Sequence, residues 1–341
     1  MKELIRNWLS LYKDRRKKNQ LQILLGTKLH TFINACEYIV IEQTGENVYT
    51  KVRDLGGVNN FGMLMHYSVK NNEPLAISKI EMYKLAEREN RFLQWQKEHH
   101  NNNLAAKPFG ITEKTEKGYA CFVSSVLAEP KQFSYTKAKN LYQRLGGNPD
   151  LLSYLATSGK KEALSDEIDD STNIKSILAN LISKFGTGRA EEFYKELLSK
   201  NKTLFSLTLT PPVFMDLQES MQKSYDVLST VDIPSYEGLV HGDFKVQNIL
   251  EDDELYKVID CQYYTYGIRL WDLAFLYSKN EQFHGIEHYI DEFELIEERL
   301  FIIFFYLLAI IVNAKKKRIT RISRNQLLPA LEYLKHLLNT L

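Results

Sequence analysis

The chain has 341 residues, 44% of them apolar and 26% charged, with a formal net charge of +1. That length supplies core for one large domain or two modest ones, and the near-zero charge excludes a protein that gathers nucleic acid through its overall field. Cys36, Cys121 and Cys261 stand far apart in no metal-ligand spacing and in odd number, which argues against a disulfide framework and fits a reducing, cytoplasmic compartment.

The first predicted element is an N-terminal helix. Leu4, Ile5, Trp8, Leu9 and Tyr12 share a face, and the basic run "KDRRKK" follows from Lys13 to Lys18. The plain reading is a helix packed on the body with a solvated basic end; the sharper one is a peripheral contact with an anionic membrane surface. No secretory signal is expected, because the first twenty residues lack an uncharged apolar core followed by small cleavage-site residues. Residues 1–36 are therefore expected to form a helical extension.

From residue 37 to 127 the pattern becomes strand-like. "EYIVIEQ", "YTKVRDL", "GMLMHYSVK" and "PLAISKI" are predicted strands, the last opening on a proline that suits a strand start. "EMYKLAERENRFLQWQKEH" then places Leu85, Arg88, Glu89, Phe92, Leu93 and Gln96 at helical spacing. Two further strands, around "KPFGITE" and "GYACFVSSV", are joined by the polar turn "KTEK". The order predicts a small antiparallel sheet with one helix against it.

Residues 128–341 read as helical. "SYTKAKNLYQRLGG", "NIKSILANLISKF", "AEEFYKELLSK" and "VFMDLQESMQKSYDVL" are predicted helices, and the polar stretch 158–173 is expected to be a mobile loop or lid. The run "LFIIFFYLLAIIV", Leu300 to Val312, falls short of the roughly 20 residues that cross a bilayer, so it predicts a buried helix. The "AKKKR" that follows puts positive charge near the helix C-terminus, where the macrodipole favours it.

Within this helical region "VHGDFKVQNIL" sets polar side chains into an apolar run. His241, Asp243 and Asn248 have the spacing H-x-D-x-x-x-x-N, which kinases use for a catalytic loop. There the aspartate accepts a hydrogen bond or proton from the attacking hydroxyl, and the asparagine offers its carbonyl oxygen to magnesium. Twelve residues after Asn248, past the hairpin turn "EDDEL", Asp260 ends the apolar strand in "YKVIDCQ". It is the candidate second metal ligand. Each residue alone could be structural: a turn cap, an Asx-turn, a strand end. The three together, in this order and with a hairpin between, suit phosphoryl transfer, in which positioning and charge compensation do most of the work.

"HGDFKVQNIL" followed by "VIDCQYYTYGIRLWDLA" resembles the aminoglycoside phosphotransferase and choline kinase superfamily of small-molecule kinases. Gly242 stands where protein kinases usually have arginine, and the direct run from "IDCQ" to "WDLA" leaves no room for a long activation loop. The resemblance implies an α+β, bilobal protein-kinase-like fold, with residues 37–127 as a nucleotide-binding lobe and 128–341 as a larger helical lobe. It also implies Mg2+ as cofactor and ATP or GTP as phosphate donor. His241 would orient the loop, and Asp272 would tie it to the helical lobe.

The same resemblance directs the search of the first lobe. Lys79 in "AISK" falls where a phosphate-holding lysine belongs, with Glu89 as its helix partner and Glu87 as the competing choice. "LGGVNNFG" offers Gly57, Asn60 and Gly62 for a phosphate-covering turn, although it is not G-x-G-x-x-G and its glycines could simply make a hairpin. Ser124, Ser125 and Val126 are expected to carry the adenine through backbone groups. Tyr263, Tyr264, Tyr266 and Trp271 either line the acceptor pocket or belong to the core. The expected reaction is transfer of the γ-phosphate to the hydroxyl of an amino alcohol, sugar or aminoglycoside. A protein kinase and a kinase-like binding module are the alternatives.

Overall fold

A computed structural model of the chain describes residues 22, 29–53, 62–100, 104–146, 174–206, 209–314 and 318–341. The predicted N-terminal helix, the 158–173 stretch, and Gly57 and Asn60 lie outside the described residues. The chain divides into two compact units. One comprises Met1–Pro130 with Leu250–Gln262, the other Lys131–Ile249 with Tyr263–Leu341.

The first unit opens with helix α1 (Leu29–Thr44), then strands β1 (Val48–Val52), β2 (Gly62–Ser68) and β3 (Pro74–Met82). Helix α2 (Tyr83–His100) follows, then β4 (Pro108–Ile111) and β5 (Tyr119–Ser125). The strands form one antiparallel sheet in the order β1-β2-β3-β5-β4. On one face Leu64, Ala76, Ile80, Cys121 and Val123 pack against Leu29, Phe32, Cys36 and Val40 of α1.

That packing corrects one expectation. "EYIVIEQ" is not a strand but the second half of α1. Its run Ile39-Val40-Ile41 imitates a strand, yet Phe32, Cys36 and Val40 recur every four residues. Burying that stripe against the sheet decides the helix. Alternation along β3 then sends Lys79 to the opposite face from Ala76 and Ile80, level with Met63 on β2 and Phe122 on β5. Late in the chain, Glu251 pairs with Ala128 and Val258 with Ala105. These bridges bring the segment carrying Asp260 into this unit.

The second unit contains α3 (Tyr135–Gly146), α4 (Ile174–Ser183), α5 (Gly188–Phe205) and α6 (Pro211–Leu228). The short antiparallel pair β6 (Glu237–Val240) and β7 (Thr265–Ile268) comes next, with α7 (Leu270–Tyr277) directly after β7. Its axis is α8 (Ile296–Asn313), in which every residue from Leu300 to Ile311 is buried. Phe185 touches Phe301, Phe304 and Phe305 of this helix at ring-centroid distances of 5.3, 5.9 and 5.6 Å, and Trp271 meets Phe305 at 5.7 Å. Rings so enclosed contribute about 1.5–3 kcal/mol each through burial. A π-turn (Ser323–Leu327) leads into the last helix, α9 (Leu328–Thr340). Among the described residues no helix is long and apolar enough to cross a membrane. The α+β class expected from the sequence, an antiparallel sheet followed by a mainly helical remainder, is what the chain adopts.

Candidate active site

In the first unit a lysine gathers three carboxylates. Lys79 Nζ donates to Glu89 Oε2 and, at 2.7 Å, to Asp260 Oδ1, and it lies 3.2 Å from Glu81 Oε2. Glu89 comes from α2, where it is buried, and its other oxygen accepts the Cys261 N–H at 3.0 Å. One carboxylate thus holds both the lysine and the peptide next to Asp260. The competing Glu87 accepts instead from the Tyr83 hydroxyl of its own helix. Asp260 has φ +62°, a left-handed conformation that costs a non-glycine residue about 1–3 kcal/mol and is characteristic of over-determined sites.

Burial opposes the Lys79 ammonium, but Glu89, Asp260 and Glu81 outweigh it and hold its pKa well above the ordinary lysine value. Burial likewise pushes the Glu89 and Glu81 carboxyls up, against the pull of Lys79.

The described residues among the others expected to touch nucleotide lie on the same sheet or at its end. Gly62 opens β2 opposite Ile80, and Ser124 is buried opposite Ile77. Ser125 exchanges two bonds with Lys107: its N–H donates to the Lys107 carbonyl at 2.9 Å, and its Oγ accepts the Lys107 N–H at 3.0 Å. Val126 follows at the end of β5.

The second unit holds the loop that follows β6. The backbone N–H groups of His241 and Gly242 donate to Asp272 Oδ2 and Oδ1 at 2.7 and 3.0 Å. Asp272 lies in the first turn of α7, so one buried carboxylate fixes two consecutive peptides of the loop. Burial pushes its carboxyl up to about 7 even though both N–H bonds favour the ionised form. Gly242 has φ +81°, and a Cβ there would come 2.5 Å from the Tyr263 carbonyl oxygen, so only glycine fits. Phe244 is fully buried with its ring 6.0 Å from that of His241, which anchors the middle of the loop.

Asp243 is buried and accepts from the Lys245 ammonium at 2.5 Å and from Asn248 Nδ2 at 3.2 Å, both on Oδ2. Asn248 Nδ2 also donates to the Asp243 carbonyl at 2.9 Å. Both bonds use the Asn248 amide nitrogen, and no described residue engages its Oδ1.

Lys79, Glu89 and Asp260 therefore form one cluster, and His241, Asp243 and Asn248 another with Asp272. Two members escaped the sequence reading. Lys245 stands inside the quoted motif, two residues past Asp243, where it reads as a solvated lysine. Glu81 stands two residues past Lys79, and strand alternation alone would have put the two on one face. Tyr263, Tyr264 and Trp271 are buried, which places them in the core.

Magnesium takes hard oxygen ligands, usually one or two carboxylates together with substrate phosphates. The residues fit that habit. Among the described residues no three His, Cys, Asp or Glu side chains gather as a ready-made cage. Asp260 in the first unit carries a carboxylate of that kind, and Asn248 in the second carries an amide oxygen that no described residue engages.

No curated protein matches the chain by sequence. Solved structures similar to it include aminoglycoside phosphotransferase APH(4)-Ia, at 12% identity over 90% of this chain and 98% of that one with a TM-score of 0.45. A thermostable mutant of the same enzyme in ternary complex with ADP and hygromycin B is 13% identical, covering 89% and 98% with a TM-score of 0.45. A choline/ethanolamine kinase family protein from Mesorhizobium loti is 13% identical, covering 84% and 87% with a TM-score of 0.41. These are distant likenesses, and the reading of the site rests on the chain's own residues. The family match is local: residues 213–295, which include both catalytic-loop and metal-ligand candidates together with Asp272, match the phosphotransferase enzyme family.

Proposed function

We propose that this protein is a magnesium-dependent small-molecule kinase that moves the γ-phosphate of ATP or GTP to a hydroxyl group. The observation that carries the reading is the meeting of Lys79, Glu89 and Asp260, residues from a strand, a helix and a segment 181 positions beyond Lys79. A fold has little reason to bury that ion cluster for stability alone, since apolar side chains of similar volume often serve better.

In this reading Lys79, steadied by Glu89, binds the α- and β-phosphates. Ser124, Ser125 and Val126 present backbone groups to the base, and Gly57, Asn60 and Gly62 belong to the turn over the phosphates. Asp260 and Asn248 Oδ1 would hold magnesium, which when bound compensates charge on the phosphates. Asp243 receives the acceptor hydroxyl. As the hydroxyl oxygen bonds to the γ-phosphorus and the bond to the leaving nucleoside diphosphate breaks, the hydroxyl proton passes to the Asp243 carboxylate. Asp272 and His241 keep the loop in shape, and Lys245 balances the charge on Asp243. Amino alcohols, sugars and aminoglycosides are the acceptor classes to try.

The test is transfer of labelled γ-phosphate to pooled acceptors of these three classes, with and without magnesium, using Asp243→Asn as control. Transfer to one pool that needs magnesium and vanishes in the variant is the expected result. Transfer that survives in Asp243→Asn overturns the assignment. Nucleotide binding without transfer to any pool would favour a binding module.

A further inference from the structure

The least explained group near the site is Glu81. Its side chain is fully buried, and neither oxygen accepts a hydrogen bond from any described residue. Its closest charge is Lys79 Nζ at 3.2 Å, on the same strand and the same face of the sheet. A buried carboxylate left in this condition costs several kcal/mol. An apolar residue at this strand position would cost nothing of the kind, so a structural role alone does not account for it.

The arrangement around Lys79 suggests what does. An ammonium has three protons; Lys79 donates to Glu89 and Asp260, and Glu81 lies 3.2 Å away without a hydrogen bond. Glu89 is fixed from behind by the Cys261 N–H, whereas Glu81 has no other anchor. If Asp260 turns to a metal ion, as the proposed function requires, Lys79 loses its second-strongest contact just when it must point at phosphates. Glu81 is the remaining acceptor within reach, and it lies along β3, so a pull toward it holds Nζ over the strand.

We infer that Glu81 is a second positioning residue for Lys79, closing on the ammonium that Asp260 releases when a metal-bound nucleotide occupies the site. The inference rests on the proposed role of Lys79 and adds to it a hand-over between two carboxylates. Its mark is a coupling that exists only while Lys79 is present.

The experiment is a double-mutant cycle on the full chain, read as Mg-ADP affinity by calorimetry, with thermal unfolding measured alongside. Glu81→Leu removes the acceptor and should weaken Mg-ADP binding about tenfold, the scale of one hydrogen bond to a charged group. Its unfolding temperature should stay the same or rise, as replacement of buried ions by apolar groups commonly allows. Glu81→Gln keeps an acceptor oxygen and should recover most of the affinity. In a Lys79→Ala background Glu81→Leu should have no further effect.

The two readings fail separately. Lys79→Ala that leaves Mg-ADP binding intact overturns the proposed role of Lys79. Lys79→Ala that weakens binding measurably, while Glu81→Leu binds as tightly as wild type or more tightly, overturns only the hand-over. Equal loss from Glu81→Leu in both backgrounds overturns it as well, because the effect would then bypass Lys79.

Discussion

The two clusters are built on opposite principles. Around Lys79 four titratable side chains from β3, α2 and the 250–262 segment meet, and the Cys261 N–H joins them from the backbone. Around Asp243 the backbone is the material. Asp272 grips two consecutive peptides, Gly242 takes a conformation closed to other residues, and Asn248 bonds back to the Asp243 carbonyl. A cluster of the first kind can redistribute its protons and partners without moving the chain. A cluster of the second kind can only be held or lost.

The largest effect expected from breaking that contrast is at Asp243. Asp243→Asn keeps the shape and removes the proposed proton acceptor, so kcat should fall by about 10²–10⁴-fold, the range of general-base contributions. Unfolding and Mg-nucleotide affinity should hardly change. By comparison Asp260→Ala should weaken Mg-nucleotide binding as well as turnover, because it removes a proposed metal ligand and unbalances Lys79. Steady-state kinetics beside calorimetry separates the two patterns, and equal affinity losses in both variants would erase the distinction between the clusters.

Next comes the backbone itself. Gly242→Ala must pay for a left-handed alanine, about 1–2 kcal/mol, and for a Cβ pressed 2.5 Å from the Tyr263 carbonyl, about 1–3 kcal/mol more. Denaturant unfolding should show that loss, and activity should fall with it. An alanine variant of full stability and full activity would mean the loop does not depend on this turn.

These effects also explain what the sequence could and could not reveal. The loop was legible because its parts are contiguous: H-x-D-x-x-x-x-N fixes identity and spacing in one stretch, and "WDLA" follows closely. Lys79 and Glu89 were found because the resemblance directs the search to that strand and helix, and the choice between Glu89 and Glu87 turned on which carboxylate reaches Lys79. Glu81 was not, because it was read as the first residue of the helix "EMYKLAERENRFLQWQKEH", whereas β3 runs on through it to Met82. The helix over Glu37–Gln43 was misread because β-branched residues mimic a strand, and only the packing of Cys36 and Val40 on the sheet settles the matter.

The smallest predicted effect concerns pH, and it sets one buried titratable group in each unit against the other. In the first unit His66 lies fully buried between Thr50 and Ser78. Nδ1 is 2.8 Å from Thr50 Oγ1, and Nε2 is 2.6 Å from Ser78 Oγ. Thr50 spends its own proton on Glu37 at 2.6 Å, so the Nδ1–H tautomer donates to Thr50 and Nε2 accepts from Ser78. Burial lowers the His66 pKa to about 4. The unfolded chain takes up a proton near pH 6.5 and the folded one does not, so stability is lost as pH falls from about 6.5 to about 4, by at most about 3 kcal/mol.

Asp272 in the second unit runs the other way. Its carboxyl is raised from 3.8 to about 7, so the folded state holds a proton that the unfolded state has released. Its contribution is complete below about pH 4 and declines as pH rises to about 7, by at most about 4 kcal/mol. Over pH 4–6.5 these two slopes oppose each other and partly cancel. His66→Gln should expose the Asp272 slope, leaving a protein whose stability falls with rising pH. Asp272→Asn should expose the His66 slope, and it should also lower stability by about 1–3 kcal/mol, because its amide NH₂ would face a backbone N–H donor of the loop. Denaturant titrations of wild type and both variants at pH 4.5 and 7 check the signs. Two variants whose profiles both match that of wild type would show that neither group titrates as its burial dictates.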